Sequence, residues 1–220
     1  MIANNILPIV HKVIDRPLVV IDNFYENPDA VRKEAISSKY MPPIHGNFPG
    51  QTAFVPPETQ SKVIPFVIAM AESYMAESLD VKIPVDIEST ECYYQIIDKP
   101  WHKAPPAFRV PHVDYRFQRG IVTIPALVYL NLPDQCYGGT AFYKDSKTGL
   151  HSINSPAQFH KVYTSGENTW ERHNYIPMRY NRLIMYDGNM MHTADIPPGR
   201  FGEELENCRM TQNIFLHVKI

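Results

Sequence analysis

The chain has 220 residues, of which 44% are hydrophobic and 20% charged, with a formal net charge of −2. That suits a single globule able to bury roughly 70% of its unfolded surface, and it excludes the basic excess of a nucleic-acid or anionic-membrane binder. Three scattered cysteines, Cys92, Cys136 and Cys208, form no CxxC pair, which argues against a disulfide framework and for a reducing compartment.

The first residues lack the basic start and apolar run of a signal peptide. No apolar stretch approaches the roughly 18 residues that span a bilayer. A cytoplasmic protein is the expectation. Leu18 to Asp22 reads as a strand. Asn27-Pro28-Asp29 opens a helix to about Ser38, with proline at the first helical position and an acid in the first turn. Tyr40 to Phe54 is a loop rich in proline and glycine. A second helix starts at Pro56-Pro57-Glu58. Val63, Phe66, Val67, Met70 and Tyr74 recur at three- and four-residue steps and carry it to about Ser78.

From residue 85 the pattern turns to strands. Glu91 to Ile97 and Ile121 to Leu132 are rich in β-formers. Residues 99–111 hold four prolines and read as a loop. Gly138-Gly139 reads as a hairpin turn before a strand at Thr140 to Tyr143. Leu183 to Tyr186 is a strand ended by Asp187-Gly188, and Met210 to Lys219 alternates and closes the chain. Residues 144–180 are polar with scattered aromatics and carry no clear period. The 20 prolines, about twice the usual share, fit short strands and irregular loops. The expectation is one domain over 1–220. Residues 1–84 form a helical support region, and residues 85–220 a mainly β jelly-roll core.

Several residues can carry chemistry. His112-Val113-Asp114 places an imidazole and a carboxylate two apart, which on a strand is one face. Alone, such a tripeptide is more often a surface ion pair or a capped turn. His192 follows 80 residues later. Two imidazoles and one carboxylate can hold three positions on one face of a ferrous ion and leave three open. Among nine histidines, His102, His160 and His173 compete on composition alone. Arg200 and Arg209 lie 8 and 17 residues beyond His192. Arg209 precedes Thr211 on the same strand face, where a guanidinium fork and a hydroxyl suit a carboxylate. Arg200 sits in the turn-like Pro197-Pro198-Gly199-Arg200, with 197–207 read as an inserted loop.

Taken in order, these pieces resemble the iron- and 2-oxoglutarate-dependent dioxygenases, in particular their prolyl hydroxylase-like branch. The resemblance spans about residues 91–218. It rests on His112-Val113-Asp114, Val128-Tyr129-Leu130-Asn131, Gly138-Gly139-Thr140-Ala141-Phe142, Arg182 to Tyr186 leading to His192, and Arg209-x-Thr211. It implies a double-stranded β-helix backed by N-terminal helices, with Fe(II) held by His112, Asp114 and His192. It implies 2-oxoglutarate bound at its far end by Arg209, Thr211 and Tyr129. Thr140 is a weaker contact.

The activity implied is hydroxylation of a small-molecule or peptide substrate with molecular oxygen, coupled to decarboxylation of 2-oxoglutarate. Relatives that halogenate keep the acid's position small, so Asp114 points to hydroxylation. Residues 99–111 and 144–180, with Trp101, His102, Arg109, Tyr163, Trp170 and Arg172, are expected as loops around the site mouth. A non-catalytic jelly-roll binding module, or a cupin-type metalloenzyme without 2-oxoglutarate, remains the alternative reading.

Overall fold

In a computed structural model of the chain, residues 1–43, 50–114, 120–163 and 169–220 are described. The strands are β1 (Ile9–Val13), β2 (Arg16–Ile21), β3 (Gln51–Phe54), β4 (Ile87–Ile97), β5 (Ile121–Tyr129), β6 (Gly139–Asp145), β7 (Trp170–Pro177), β8 (Leu183–Tyr186), β9 (His192–Asp195) and β10 (Arg209–Lys219). The helices are α1 (Pro28–Ile36), α2 (Pro57–Tyr74), α3 (Ala76–Leu79), α4 (Pro106–Arg109) and α5 (Pro156–Tyr163).

Seven strands form one antiparallel sheet in the order β1-β2-β8-β5-β10-β4-β3. Three form a second in the order β7-β6-β9. The architecture is a double-stranded β-helix, a jelly roll, backed by helices. Its most extensively paired strand is β10, which pairs along most of its length with β4 on one side and β5 on the other.

Alternation along β10 decides what lies on each face. Met210, Ile214, Leu216 and Val218 join one core with Val63, Val67 and Ala71 of α2. Each fully buried valine, leucine or isoleucine of that kind contributes about 1.5–3 kcal/mol. Arg209, Thr211, Asn213 and His217 lie on the other side and are buried too. A polar row inside a sandwich is unusual for a strand kept only for packing. Leu18, Val20, Tyr129, Phe142, Ile184 and Tyr186 fill the space between the sheets.

Helix α1 begins as its sequence dictates. The Asn27 side chain accepts from the Ala30 amide at 3.1 Å, Pro28 opens the first turn and Asp29 complements the dipole. Buried Arg32 crosses to the sheet. It donates to the Leu130 carbonyl at 3.0 Å, the Glu206 carbonyl at 3.0 Å and Gln135 Oε1 at 3.3 Å.

The structure departs from the sequence expectations at several points. The segment Tyr40 to Phe54 is not all loop, because Gln51–Phe54 is the edge strand β3; residues 44–49 of it lie outside the described residues. Residues 144–180 contain α5 and β7, so Trp170 and Arg172 stand on a strand of the smaller sheet and not on a mouth loop. β7 is an outer strand whose residues are mostly half-buried or exposed, which erases the apolar alternation that marks a strand.

Gly138-Gly139 is no hairpin turn, since β5 and β6 belong to different sheets. A Cβ on Gly138 would meet the Asp195 carbonyl oxygen at 1.9 Å, and one on Gly139 the Ile176 carbonyl oxygen at 2.1 Å. The pair lets the chain cross between sheets where neighbouring backbones leave no room. The first 84 residues supply α1 and α2 and also three strands of the larger sheet. No helix among the described residues is long and apolar enough to cross a membrane.

Candidate metal centre and anion pocket

His112 and His192 are brought together by backbone, not by a long strand. They form an isolated antiparallel bridge. Each amide donates to the other's carbonyl at 2.9 Å. The described His112-Val113-Asp114 segment is therefore held by an isolated rung beside β9 and lies in no strand. Two residues on, the Asp114 amide donates to the Gly188 carbonyl at 2.8 Å, which fixes the carboxylate beside the rings. His192 opens β9.

The three side chains offer donor atoms that all lie within 4.8 Å of one another. They form the sole such group of three or more among the described residues. His192 Nε2 is 3.3 Å from Asp114 Oδ2, and the two imidazole centroids are 4.6 Å apart. Ligand atoms about 2.1 Å from an ion at right angles are roughly 3 Å apart, so the set fits a small cation.

Ring orientation supports the same use. His192 Nδ1 donates to the Met190 carbonyl at 2.9 Å and leaves Nε2 toward Asp114. The His112 ring is hydrogen-bonded to the backbone of Val110 in the same relation, two residues back. Holding the far nitrogen in this way is the usual support of a ligating histidine. His102 and His160 are exposed and His173 lies on β7; none joins the group.

Charge in the group is tightly coupled. Burial alone would push His192 down, but the Asp114 charge and hydrogen bond, with the Met190 carbonyl, hold it above its ordinary value. Burial would raise Asp114, yet the imidazoles of His192 and His112, with His217, keep it below the usual carboxylate range. His112 keeps an exposed edge. The packing around it and the charge of His192 nevertheless push it down to about 4.

A second group of side chains lies along the sheet. Arg209 is buried at the start of β10, with its guanidinium carbon 5.5 Å from the Tyr129 ring centroid. Thr211, also buried, pairs directly with Tyr129. The Tyr129 and Thr140 hydroxyls are 2.7 Å apart. Burial holds the Arg209 guanidinium below its usual value and pushes the Tyr129 phenol up, although each partly offsets the other. Arg209 Nε is buried and finds no hydrogen-bond partner among the described residues. A buried cation with a spare N–H is costly alone and fits an anion with a planar carboxylate. Arg200, by contrast, is exposed and stacks on Tyr137 at 4.1 Å.

Tyr186 is within reach of both groups. Its ring packs against His192 at 4.7 Å and against Phe142 at 5.2 Å. Burial lifts its phenol well above the ordinary value, with Asp114, Tyr129 and Arg209 all within electrostatic reach. Sequence reasoning placed Tyr186 only in a strand. The signal was its alternation with Ile184, which puts both on the inner face. The loop residues proposed for the mouth divide: His102 and Arg109 are exposed, and the Tyr163 hydroxyl donates to the Pro111 carbonyl at 2.7 Å, next to His112. The Trp101 side chain lies outside the described residues.

Comparison with known proteins adds the following. The model of a family described as "Family of unknown function (DUF6445)" matches residues 7–216. No curated protein matches. Among solved structures, the non-heme alpha ketoglutarate dependent epimerase SnoN from nogalamycin biosynthesis is 13% identical, with a TM-score of 0.51; the match covers 92% of this chain and 78% of that chain. A Pseudomonas putida prolyl-4-hydroxylase is 12% identical, with a TM-score of 0.48 and coverage of 92% and 93%. HygX from Streptomyces hygroscopicus, with nickel and 2-oxoglutarate bound, is 14% identical, with a TM-score of 0.44 and coverage of 92% and 82%. The match to SnoN shows a shared fold.

Proposed function

We propose, for a chain that belongs to the DUF6445 family of unknown function, that it is a non-haem iron oxygenase using 2-oxoglutarate. The observation that carries this reading is the pairing of two sites across Tyr186. One is a His-Asp-His group with donor atoms within 4.8 Å; the other is a buried Arg209 with an unpartnered Nε. The fold shared with an alpha ketoglutarate dependent epimerase supports it.

His112, Asp114 and His192 would hold Fe(II) on one face, and the single carboxylate would offset half its charge. The bound iron would supply oxygen activation coupled to loss of carbon dioxide from 2-oxoglutarate, leaving succinate and an oxidised substrate. The chain's own residues do the positioning. Met190 and Val110 fix the ring orientations. Arg209, Thr211 and Tyr129 would bind the far carboxylate of 2-oxoglutarate, so that its keto-acid end faces the metal group. The buried inner face, with Tyr186 and Phe142, keeps bulk water from the reacting atoms. Asp114 fills the position that halogen-transferring chemistry would need open, so hydroxylation of a small-molecule or peptide substrate is the activity proposed.

The test is direct. Purified protein with Fe(II), ascorbate, air and 2-oxoglutarate is assayed for succinate, and 2-oxoglutarate binding is measured anaerobically with Mn(II). The expected result is iron-dependent succinate formation and stoichiometric cosubstrate binding. Absence of both in folded protein overturns the proposal.

A further inference from the structure

The smaller sheet covers only part of the larger sheet's inner face. The cluster between the sheets draws on β1, β2, β5 and β8 of the larger sheet, and no residue of β10, β4 or β3 joins it. On that far part, register sets Phe54, Tyr93 and Asn213 in one row, Thr52, Gln95 and Thr211 in a second, and Glu91 beside Phe215 in a third. Alternation turns these side chains to the same face as Arg209. Glu91, Tyr93, Gln95 and Phe215 are half-buried and Phe54 is 62% exposed, so this part of the face is a shelf that a ligand can reach.

The shelf begins beside the metal group. The Asp114 amide donates to the Gly188 carbonyl at 2.8 Å, and the Gly188 amide to the Thr123 carbonyl at 2.9 Å. Thr123 pairs with His217, two residues from Phe215 on β10. The Asp114 carboxylate is within electrostatic reach of both the His217 ring and the Tyr93 phenol.

Its side chains select a kind of ligand. The Tyr93 and Phe215 rings stack, with centroids 5.7 Å apart and planes at 20°, which makes a flat apolar floor. Phe54 extends it toward the sheet edge. Beside the floor, Asn213 Nδ2 donates to Gln95 Oε1. That bond leaves the Asn213 carbonyl oxygen to accept and the Gln95 amide nitrogen to donate. A primary carboxamide carries the complementary donor and acceptor on one carbon. No lysine or arginine stands among these shelf residues, and His217 already has the Glu91 carboxylate 3.5 Å away. An anion here would face the carboxylates of Glu91 and Asp114 without a cation of its own.

We propose, resting on the oxygenase reading of the metal group, that this shelf is its substrate site and takes a neutral aromatic compound bearing a carboxamide. The ring lies against Tyr93 and Phe215. The carboxamide donates to Asn213 and accepts from Gln95, which fixes the ring beside the His112, Asp114 and His192 group.

Benzamide is the probe. Ligand-observed NMR of the full chain, without oxygen or 2-oxoglutarate, measures its binding, and Mn(II) on the metal group broadens the ring protons of a molecule bound alongside. Wild type is expected to bind benzamide, to broaden it with Mn(II), and to bind benzoate and acetamide at least about tenfold more weakly. Gln95→Met and Phe215→Leu are each expected to weaken benzamide by about tenfold or more while unfolding cooperatively and keeping Mn(II). Absence of benzamide binding to wild type, equal binding by both variants, or preference for benzoate overturns the shelf, whatever 2-oxoglutarate does. Benzamide that binds beside bound Mn(II) without broadening overturns it too. Benzamide binding that both cooperatively folded variants lose, in a protein that takes up no Mn(II), keeps the shelf and overturns the metal centre.

Discussion

His112 and His192 each give an amide proton to the other's carbonyl at 2.9 Å, so two residues 80 positions apart are locked as a single rung. The rung sets the ring separation before any ion arrives. Preorganisation of that kind lowers the ordering that metal binding must otherwise impose.

Asp114 is the least replaceable member of the group, because it alone carries negative charge there. Asp114→Ala is expected to weaken Fe(II) or Mn(II) binding by at least about 100-fold, more than loss of a supporting hydrogen bond would. Calorimetric titration measures it. An affinity within a few-fold of wild type would remove Asp114 from the ligand set.

The two arginines separate cleanly. Arg209→Ala is expected to weaken 2-oxoglutarate binding by at least about 100-fold, through loss of two charge-assisted hydrogen bonds worth about 1.5–3 kcal/mol each. Arg209→Lys restores charge without the fork and recovers only part. Arg200→Ala, removing a cation that stacks on Tyr137 at the surface, leaves binding within about twofold. Anaerobic titration of the three variants decides the matter, and a reversed order would move the anchor to Arg200.

Proton release on metal binding follows from the group's electrostatics. A ligating imidazole must be neutral. In the metal-free protein His112 titrates near 4 and is already neutral at pH 7, while His192 is held above 6.5. Affinity is therefore expected to climb by up to about tenfold per pH unit as pH rises toward the His192 value, with up to one proton released per ion, and then to level off with none released. Titrations in buffers of different ionisation enthalpy count that proton. Two protons released at neutral pH would contradict the assignment.

The stability of the metal-free protein has the opposite slope. The folded His192 value is raised, so its contribution is full below the unfolded value of 6.5 and is lost as pH rises through the folded one. Metal-free protein should lose stability across that window relative to His192→Ala, as read from denaturant midpoints. A pH-independent difference between the two would refute the coupling.

Gly138 is a steric requirement of the sheet crossing. Its φ is +81°, and an added Cβ would lie 1.9 Å from the Asp195 carbonyl oxygen. Gly138→Ala is expected to destabilise the fold by about 3 kcal/mol or more. Gly149 also has a positive φ, at +73°, but open space around it, so Gly149→Ala should lose only about 1 kcal/mol. Equal losses would mean that backbone conformation matters and close approach does not.

The legible parts of the chain were those where chemistry or period is local. The α1 start, the β10 alternation and the ordered His-x-Asp, His and Arg-x-Thr pieces all rest on short-range patterns. What stayed hidden depends on neighbours. β3 and β7 are outer strands with little apolar contrast, so periodicity is silent there. His112 reaches His192 through one backbone rung that no side-chain pattern encodes. The unequal exposure of Arg200 and Arg209 follows from which one enters the sheet, a question of register and not of composition. Tyr186 looked like any strand tyrosine until its neighbours were placed around it.

Arg32 adds a mechanical consequence. Its guanidinium buckles Leu130, next to Tyr129, to Glu206, just upstream of Arg209. A truncation that starts after residue 84 would retain every candidate donor yet leave the segment around Tyr129 and Arg209 unfastened. The candidate anion site is thus anchored by a helix that contributes no residue to it.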